Sequence, residues 1–265
     1  MRAVLQLLTG ILLTTPAFGK ATQIIIAGDN WCPINCSASA TDKGYMIDVA
    51  SQALAMAGYE LVYQEMPWAR AIALARRGAI HGIVGAFKGD APDFYFPANA
   101  ILNISPNHLF TLKDSSWRYS GPASWGNVRL GTIIGYDYGE ELNNYLITVT
   151  PPLTHEVKQL SGDDAVKRSI EFLLKRRTDV LVESAPVLWY HANQLGVADQ
   201  LQEAGVISAP EPCFIAFSPS RPESAQLSHA LDAGITLMKQ QNALLPIAKR
   251  YGLSSALAPV VPLPD

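Results

Sequence analysis

Charge is sparse in this chain of 265 residues: 16% are Asp, Glu, Lys or Arg, and 20 Lys+Arg against 23 Asp+Glu leave a formal net charge of −3. No long basic run stands out, which argues against a nucleic-acid surface, whose affinity rests on clustered Lys and Arg. Cysteine is scarcer still, with three residues. Cys32 and Cys36 have three residues between them, so a CxxC redox pair is absent, and Cys213 lies far away. None of the five His residues sits beside a cysteine in sequence, so the ligand spacing of a zinc site is missing. No Ser–His or Cys–His arrangement has the spacing of a nucleophilic pair, and no phosphate-binding loop appears. No apolar run reaches the ~20 residues that a membrane span needs. The expectation is a chain without metal or cofactor.

What the chain does have is apolar mass: 49% hydrophobic residues, enough for a sizeable core and incompatible with disorder. At ~100–200 residues per domain the length fits one large domain or two small ones. Residues 1–19 read as a signal peptide: Arg2, an apolar run from Ala3 to Leu13, then small residues at Ala17 and Gly19. Export places the chain in an oxidising periplasm, which permits a small Cys32–Cys36 disulfide loop. Cys213, among Phe214, Ile215 and Ala216, reads as a buried apolar residue.

From Thr22 the pattern alternates strands and helices. Thr22–Ala27 is a short apolar run ending at Gly28-Asp29. Met46, Val49, Ala50, Ala53 and Ala57 follow at helical spacing, with Gly58 as the stop. Tyr59–Glu65 reads as a strand, Pro67 opens a helix through Trp68, Ile72 and Ala75 to Gly78, and Ile80–Ala86 is a third strand. A second unit repeats the scheme with strands at Asn127–Ile134, Leu153–Leu160 and Thr178–Glu183. Its helices run through Leu142 and Tyr145, through Val166, Ile170, Leu173 and Leu174 behind a Ser161/Asp164 capping box, and from Pro186 to Leu195. The chain returns through the strand Cys213–Phe217 and two helices, one carrying Leu227, Leu231, Ile235 and Met238, the other Leu244, Leu245, Ala248 and Tyr251. Leu253–Asp265, with three prolines, is expected to be irregular. Such β-α-β series imply α/β units with parallel sheets and right-handed crossovers. Ligands of open α/β sheets sit beyond the carboxyl ends of the strands, here Asp29–Cys36, Gly85–Asp90, Gly135–Gly139 and Glu183–Ala185.

From about Thr22 to Gly252 the chain resembles the periplasmic solute-binding proteins of family 3, the extracytoplasmic receptors of polar-amino-acid ABC importers. The resemblance is carried by Gly28-Asp29-Asn30-Trp31-Cys32-Pro33, Lys43-Gly44-Tyr45-Met46-Ile47-Asp48-Val49, Pro67-Trp68, Arg77-Gly78-Ala79-Ile80 and Phe94-Tyr95-Phe96-Pro97. Further on it shows in Val128-Arg129-Leu130-Gly131, Arg177-Thr178-Asp179-Val180-Leu181-Val182 and Pro246-Ile247-Ala248-Lys249-Arg250-Tyr251-Gly252. It implies a type II periplasmic-binding-protein fold: two lobes, each a mainly parallel sheet flanked by helices, joined by two crossing strands and closing on a small polar ligand by hinge motion. Lobe one would span 22–112 plus 212–252 and lobe two 114–211. The expected partners are that ligand and an ABC permease, with the chain itself a monomer. The alternatives on the same fold are an enzyme such as a cyclohexadienyl-type dehydratase, with Glu183, Asp90 or Asp93 as the acid, and a ligand sensor for a separate membrane protein.

The family's ligand anchors are altered. Its Arg for the α-carboxylate falls at Asp93, and its Asp for the α-ammonium at Ser184. Substitutes stand close by in sequence: Arg70 and Lys88 for a carboxylate, Glu183 for an amine. Trp31 occupies the position of the stacking aromatic, Ala86 and Lys88 follow the third strand, and Tyr136, Asp137 and Tyr138 form the turn at a helix N-terminus, a place that favours anions. Trp68 and His81 read as structural.

Overall fold

The computed structural model describes residues 21–149, 157–162 and 164–257. The expected signal peptide, the start of the Leu153–Leu160 strand and the end of the tail lie outside the described residues. Two five-stranded sheets organise the rest. The first has the order β2-β1-β3-β10-β4, built from β1 (Thr22–Gly28), β2 (Tyr59–Glu65), β3 (Gly82–Ala86), β4 (Leu102–Ile104) and β10 (Glu211–Phe217). The second has the order β7-β6-β8-β5-β9, from β5 (His108–Leu112), β6 (Leu130–Ile133), β7 (Val157–Leu160), β8 (Val180–Glu183) and β9 (Leu201–Val206).

In each sheet three strands run parallel, as the β-α-β pattern predicts: β1 pairs β2 from Thr22↔Tyr59 to Gly28↔Glu65, and β6 pairs β7 and β8. β10 pairs antiparallel with both β3 and β4, and β5 antiparallel with both β8 and β9, so one strand of each sheet runs against the other four. Both sheets are therefore mixed, with four strands in one direction as the mainly parallel pattern predicts and one strand reversed. The antiparallel strands belong to the two passages between the sheets. β4 leads to β5 through residues 105–107, and β9 leads to β10 through residues 207–210. The passages run side by side: Ser105 Oγ donates to the Ser208 carbonyl at 2.7 Å, Asn107 N to Ser208 Oγ at 3.0 Å, and Ile207 N to the Asn107 carbonyl at 3.0 Å.

The helices pack their predicted apolar stripes onto these sheets. In α1 (Tyr45–Ala55) Met46, Val49, Ala50 and Ala53 are fully buried; Ala57 lies beyond the helix end and is exposed. α2 (Trp68–Arg76) buries Trp68, Ala71, Ile72 and Ala75, α3 (Gly139–Val149) follows β6, and α4 (Ala165–Leu174) buries Val166, Ile170 and Leu173. α5 (Ala185–Gln194) follows β8, α6 (Ser224–Gln240) buries Leu227, Leu231, Ile235 and Met238, and α7 (Leu244–Arg250) buries Leu244 and Ala248 and ends against Tyr251, whereas Leu245 of its expected stripe is exposed. Each fully buried aliphatic side chain contributes about 1.5–3 kcal/mol, so these stripes supply the main cohesive term. The capping box does not form: α4 starts at Ala165 with Asp164 as N-cap, and no side-chain cap bond is made. The start of the tail is ordered, with Ser254–Leu257 a 3₁₀ turn that buries Ala256 beside Leu253.

Candidate functional site

The carboxyl ends of β1, β3, β6 and β8 converge on one cavity between the two sheets. It is lined by Asp29, Trp31, Trp68, Val84, Gly85, Phe87 and Asp90 from the first sheet's side, by Tyr136, Asp137 and Glu183 from the second's, and by Pro106 and Asn107 of the passage between them. Its free volume of about 30 Å³ has room for little more than water. The lining side chains fill the rest.

The loop after β1 is tied together by its own bonds. The sulfurs of Cys32 and Cys36 lie at disulfide distance from each other. Trp31 N donates to the Asn35 carbonyl at 2.8 Å, and Asn35 Nδ2 and Tyr63 OH donate to the Asp29 carbonyl at 2.7 and 3.2 Å. The Trp31 indole lies on Gly85, whose φ of +84° and lack of a Cβ both matter: a Cβ there would meet Asn35 Oδ1 at 3.0 Å and Trp31 Cε3 at 3.3 Å. Phe87 stands edge-on to Trp31, with ring centroids 6.1 Å apart.

Three hydrogen bonds cross the cavity. Trp31 Nε1 donates to Glu183 Oε1 at 2.7 Å, Tyr136 OH donates to Asp29 Oδ2 at 2.6 Å, and Asp137 N donates to Asp90 Oδ1 at 3.3 Å. Each joins a strand end of one sheet to a strand end of the other. Gly89 sits at the same seam, so close to Asp137 that an added Cβ would fall 1.9 Å from Asp137 Oδ2.

Electrostatically the cavity is one-sided. It is lined by four carboxyl groups, and no Lys, Arg or His is among its lining residues. Glu183 is only 2% exposed. Its Oε1 also accepts from Ser184 N at 2.7 Å, whereas Oε2 is buried without a hydrogen-bond partner. Burial pushes the Glu183 carboxyl up to about 8, the Asp29 charge adds to the rise, and the Trp31 and Ser184 donors oppose it. Burial likewise raises Asp90 to about 7, with the Asp137 charge adding and the Phe87 and Asp137 backbone donors opposing. Tyr136 is held well above its ordinary value by burial, then by the charges of Asp29 and Glu183.

Among the residues singled out from sequence, Trp31, Tyr136, Asp137 and Glu183 meet in this cavity. Ala86 is buried in β3 between two lining residues, with its partner Phe214 in β10. Ser184 is buried behind Glu183 and donates to the Ser105 carbonyl at 3.2 Å. Tyr138 turns into the core of the second sheet, where its hydroxyl accepts from Ile133 N at 2.6 Å. Arg70 is exposed on α2 and outside the cavity lining. Lys88 is exposed too and lines a separate groove, its Nζ 5.9 Å from the Phe214 ring centre. Asp93 too lies outside the cavity lining and pairs with Arg76 on the surface at 2.9 Å. The helix N-terminus after β6 is occupied by Asp137 itself, whose Oδ1 accepts from Gly139 N at 2.9 Å and Asn143 Nδ2 at 2.6 Å.

Sequence reasoning gave Asp29, Phe87, Pro106 and Asn107 no ligand role, and read Trp68 as core. Trp68 is both: it is buried with Ala71 and Ile72, and it lines the cavity. For Asp29 the available signal was its place directly after the first strand.

No known family profile matches the chain, and no curated protein is similar enough in sequence to match. Solved structures do match. A chain from the glutathione-import work on GshT and the cystine ABC importer TcyBC of Streptococcus mutans superposes with a TM-score of 0.72 at 15% identity, covering 91% of this chain and 98% of its own. A histidine kinase sensor domain similar to periplasmic binding proteins gives 0.69 at 14% identity, covering 88% and 96%. An amino acid ABC transporter substrate-binding protein from Streptococcus pneumoniae, bound to L-arginine, gives 0.66 at 16% identity, covering 88% and 96%. The fold is that of the two-lobed substrate-binding proteins. At these identities the likeness concerns the fold, and the cavity's own residues must say what it holds.

Proposed function

We propose that the protein is an exported, monomeric solute-binding protein that captures a small ligand between its two halves and presents it to a membrane partner, with an ABC importer as the favoured one. The two halves in this reading follow the two sheets, residues 22–104 with 211–252 and residues 108–206, joined by the passages 105–107 and 207–210; the boundary expected at 112 moves because β5 (His108–Leu112) pairs with β8 and β9 of the second sheet. The observation that carries it is the set of three hydrogen bonds across a cavity at converging strand ends. Groups from both halves meet there only when the halves are closed, so a ligand touching both is bound more tightly by the closed state and shifts the equilibrium toward it. Trp31, Tyr136, Asp137 and Glu183 are the proposed ligand contacts, with Ala86, Ser184 and Tyr138 shaping the wall behind them.

At about 0.5–1.5 kcal/mol each, the cross-cavity bonds stabilise closure modestly. A ligand that replaces them must supply comparable contacts, which calls for several directed polar interactions. The paired passages through Ser105–Asn107 and Ile207–Ser208 are the natural hinge, because few contacts need to change there.

A sensing role is a second reading, supported by the histidine kinase sensor domain among the structural neighbours; it uses the same cavity and differs only in the partner. The dehydratase reading finds an acid of suitable pKa in Glu183 but no counter-charge for a dicarboxylate substrate, which the cavity's carboxylates would repel. Small-angle scattering and thermal melting across a library of amines, amino acids and organic acids test the proposal. A ligand that raises the melting temperature and compacts or stabilises the closed form supports it, and a profile unmoved by every compound refutes it. Deleting the gene then separates importer from sensor, through lost uptake or lost response.

A further inference from the structure

Resting on the binding reading, we propose that the ligand is a protonated organic amine without a carboxylate, its N–H groups directed at Glu183 and its carbon skeleton packed among Trp31, Trp68, Phe87 and Tyr136. This departs from an amino acid, whose zwitterion requires a positive anchor for its carboxylate.

The cavity offers no such anchor. Arg70 and Lys88 are exposed outside it. Arg76 is committed to Asp93 at 2.9 Å, and Arg129 to Asp179 at 2.6 Å. The helix N-terminus after β6, the other usual host for an anion, already holds the Asp137 carboxylate at 2.9 Å from Gly139 N. A ligand carboxylate would thus enter an enclosure of four acidic side chains with nothing to offset its charge.

A cation meets the opposite conditions. Glu183 Oε2 is buried and unpartnered, a position that costs free energy until a donor reaches it. Four aromatic side chains line the same space, and an aromatic face attracts an ammonium by about 0.5–2 kcal/mol, more as water is excluded. Among the described residues no group of three or more His, Cys, Asp or Glu side chains is arranged to hold a metal ion, so an organic rather than an inorganic cation suits the cavity. Binding releases the Glu183 proton to solvent and leaves a carboxylate facing the ammonium, so the charge created on Glu183 is offset by the ligand.

The test compares amines with their own carboxylated counterparts: agmatine against arginine, and cadaverine against lysine, by titration calorimetry on the full mature chain. The expected result is that the amine of at least one pair binds ten times more tightly than its amino acid or better. Glu183→Gln, checked for folding by its circular dichroism and melting curve, should weaken that amine at least tenfold, and Asp90→Asn provides a second variant should the first not fold. Equal or tighter binding of the amino acids overturns the amine assignment and leaves a binding protein standing. Absence of heat and of any melting shift with all four compounds overturns the amine assignment, while a response to other compounds in the wider library keeps the binding reading intact.

Discussion

Glu183→Gln in the empty protein isolates the least ordinary group of the cavity. Glu183 is 2% exposed, its Oε1 held by Trp31 Nε1 and Ser184 N at 2.7 Å each, its Oε2 unpartnered. The groups facing it are Asp29 and Trp31 from the end of β1, Tyr136 and Tyr138 from the turn after β6, and Ser184. His108 on β5 is its register partner and is itself paired with Glu203 at 3.1 Å. Burial raises the carboxyl from 4.5 to about 8 in the folded state. With the folded value above the unfolded one, the folded chain holds the proton more tightly. Its contribution to stability is fully present below about pH 4.5 and is lost as pH rises toward and through 8. The maximal loss is on the order of 5 kcal/mol, at about 1.4 kcal/mol per pH unit. Glutamine keeps the Oε1 acceptor and cannot ionise. Denaturant unfolding at pH 5, 7 and 9 should show a wild type that weakens steeply between pH 5 and 9 and a variant that weakens less, because Asp90, raised to about 7, and Glu211, also raised by burial, still contribute in the same direction. At pH 9 the variant should be the more stable protein by a few kcal/mol. Parallel curves for the two proteins, or a variant weaker at pH 9, would refute the claim that a desolvated carboxyl governs this cavity.

Gly89→Val should obstruct closure, because its Cβ would fall 1.9 Å from Asp137 Oδ2, while the exposed position spares the core; an unchanged melting temperature with a larger radius of gyration in scattering is expected, and an unaltered radius would count against the seam. Arg70→Ala and Lys88→Ala should leave ligand affinity within about twofold, or about 0.4 kcal/mol, as read by calorimetry; a tenfold loss in either would return a carboxylate anchor to the site. Replacing Cys32 and Cys36 by Ser opens a loop of only a few residues and should cost about 2 kcal/mol in denaturant unfolding, with a weaker ligand affinity because the Trp31 platform loosens; identical unfolding with and without reductant in the wild type would show that the pair is not bonded in solution.

Much of the architecture was legible in one dimension. Apolar spacing located the stripes of α1, α4 and α6, because a helix that buries one face must repeat apolar residues every three to four positions. Short runs of β-branched, aliphatic and aromatic residues located β1, β2, β3 and β8, because such side chains fit a buried pleated strand. Strands β4, β5 and β9 left no comparable mark: Leu102–Ile104 is only three residues long, and Leu201–Val206 carries Glu203 and Gly205 in place of a steady alternation. Their pairing is with strands more than 50 residues distant, such as β5 with β8, which no local pattern reveals.

The same division holds for the cavity. Sequence alone marked Trp31, Tyr136, Asp137 and Glu183, since they follow strands whose carboxyl ends must converge in an α/β sheet. The family resemblance further implied that the anchor positions fall at Asp93 and Ser184. Only the tertiary structure decided which charges share the enclosure, because that depends on the direction of each side chain after the two sheets come together. It sent Arg70 and Lys88 to solvent and Asp137 to its own helix end, and brought Asp29, Asp90 and Glu183 inward, so that residues up to 154 positions apart form one acidic, aromatic-walled space.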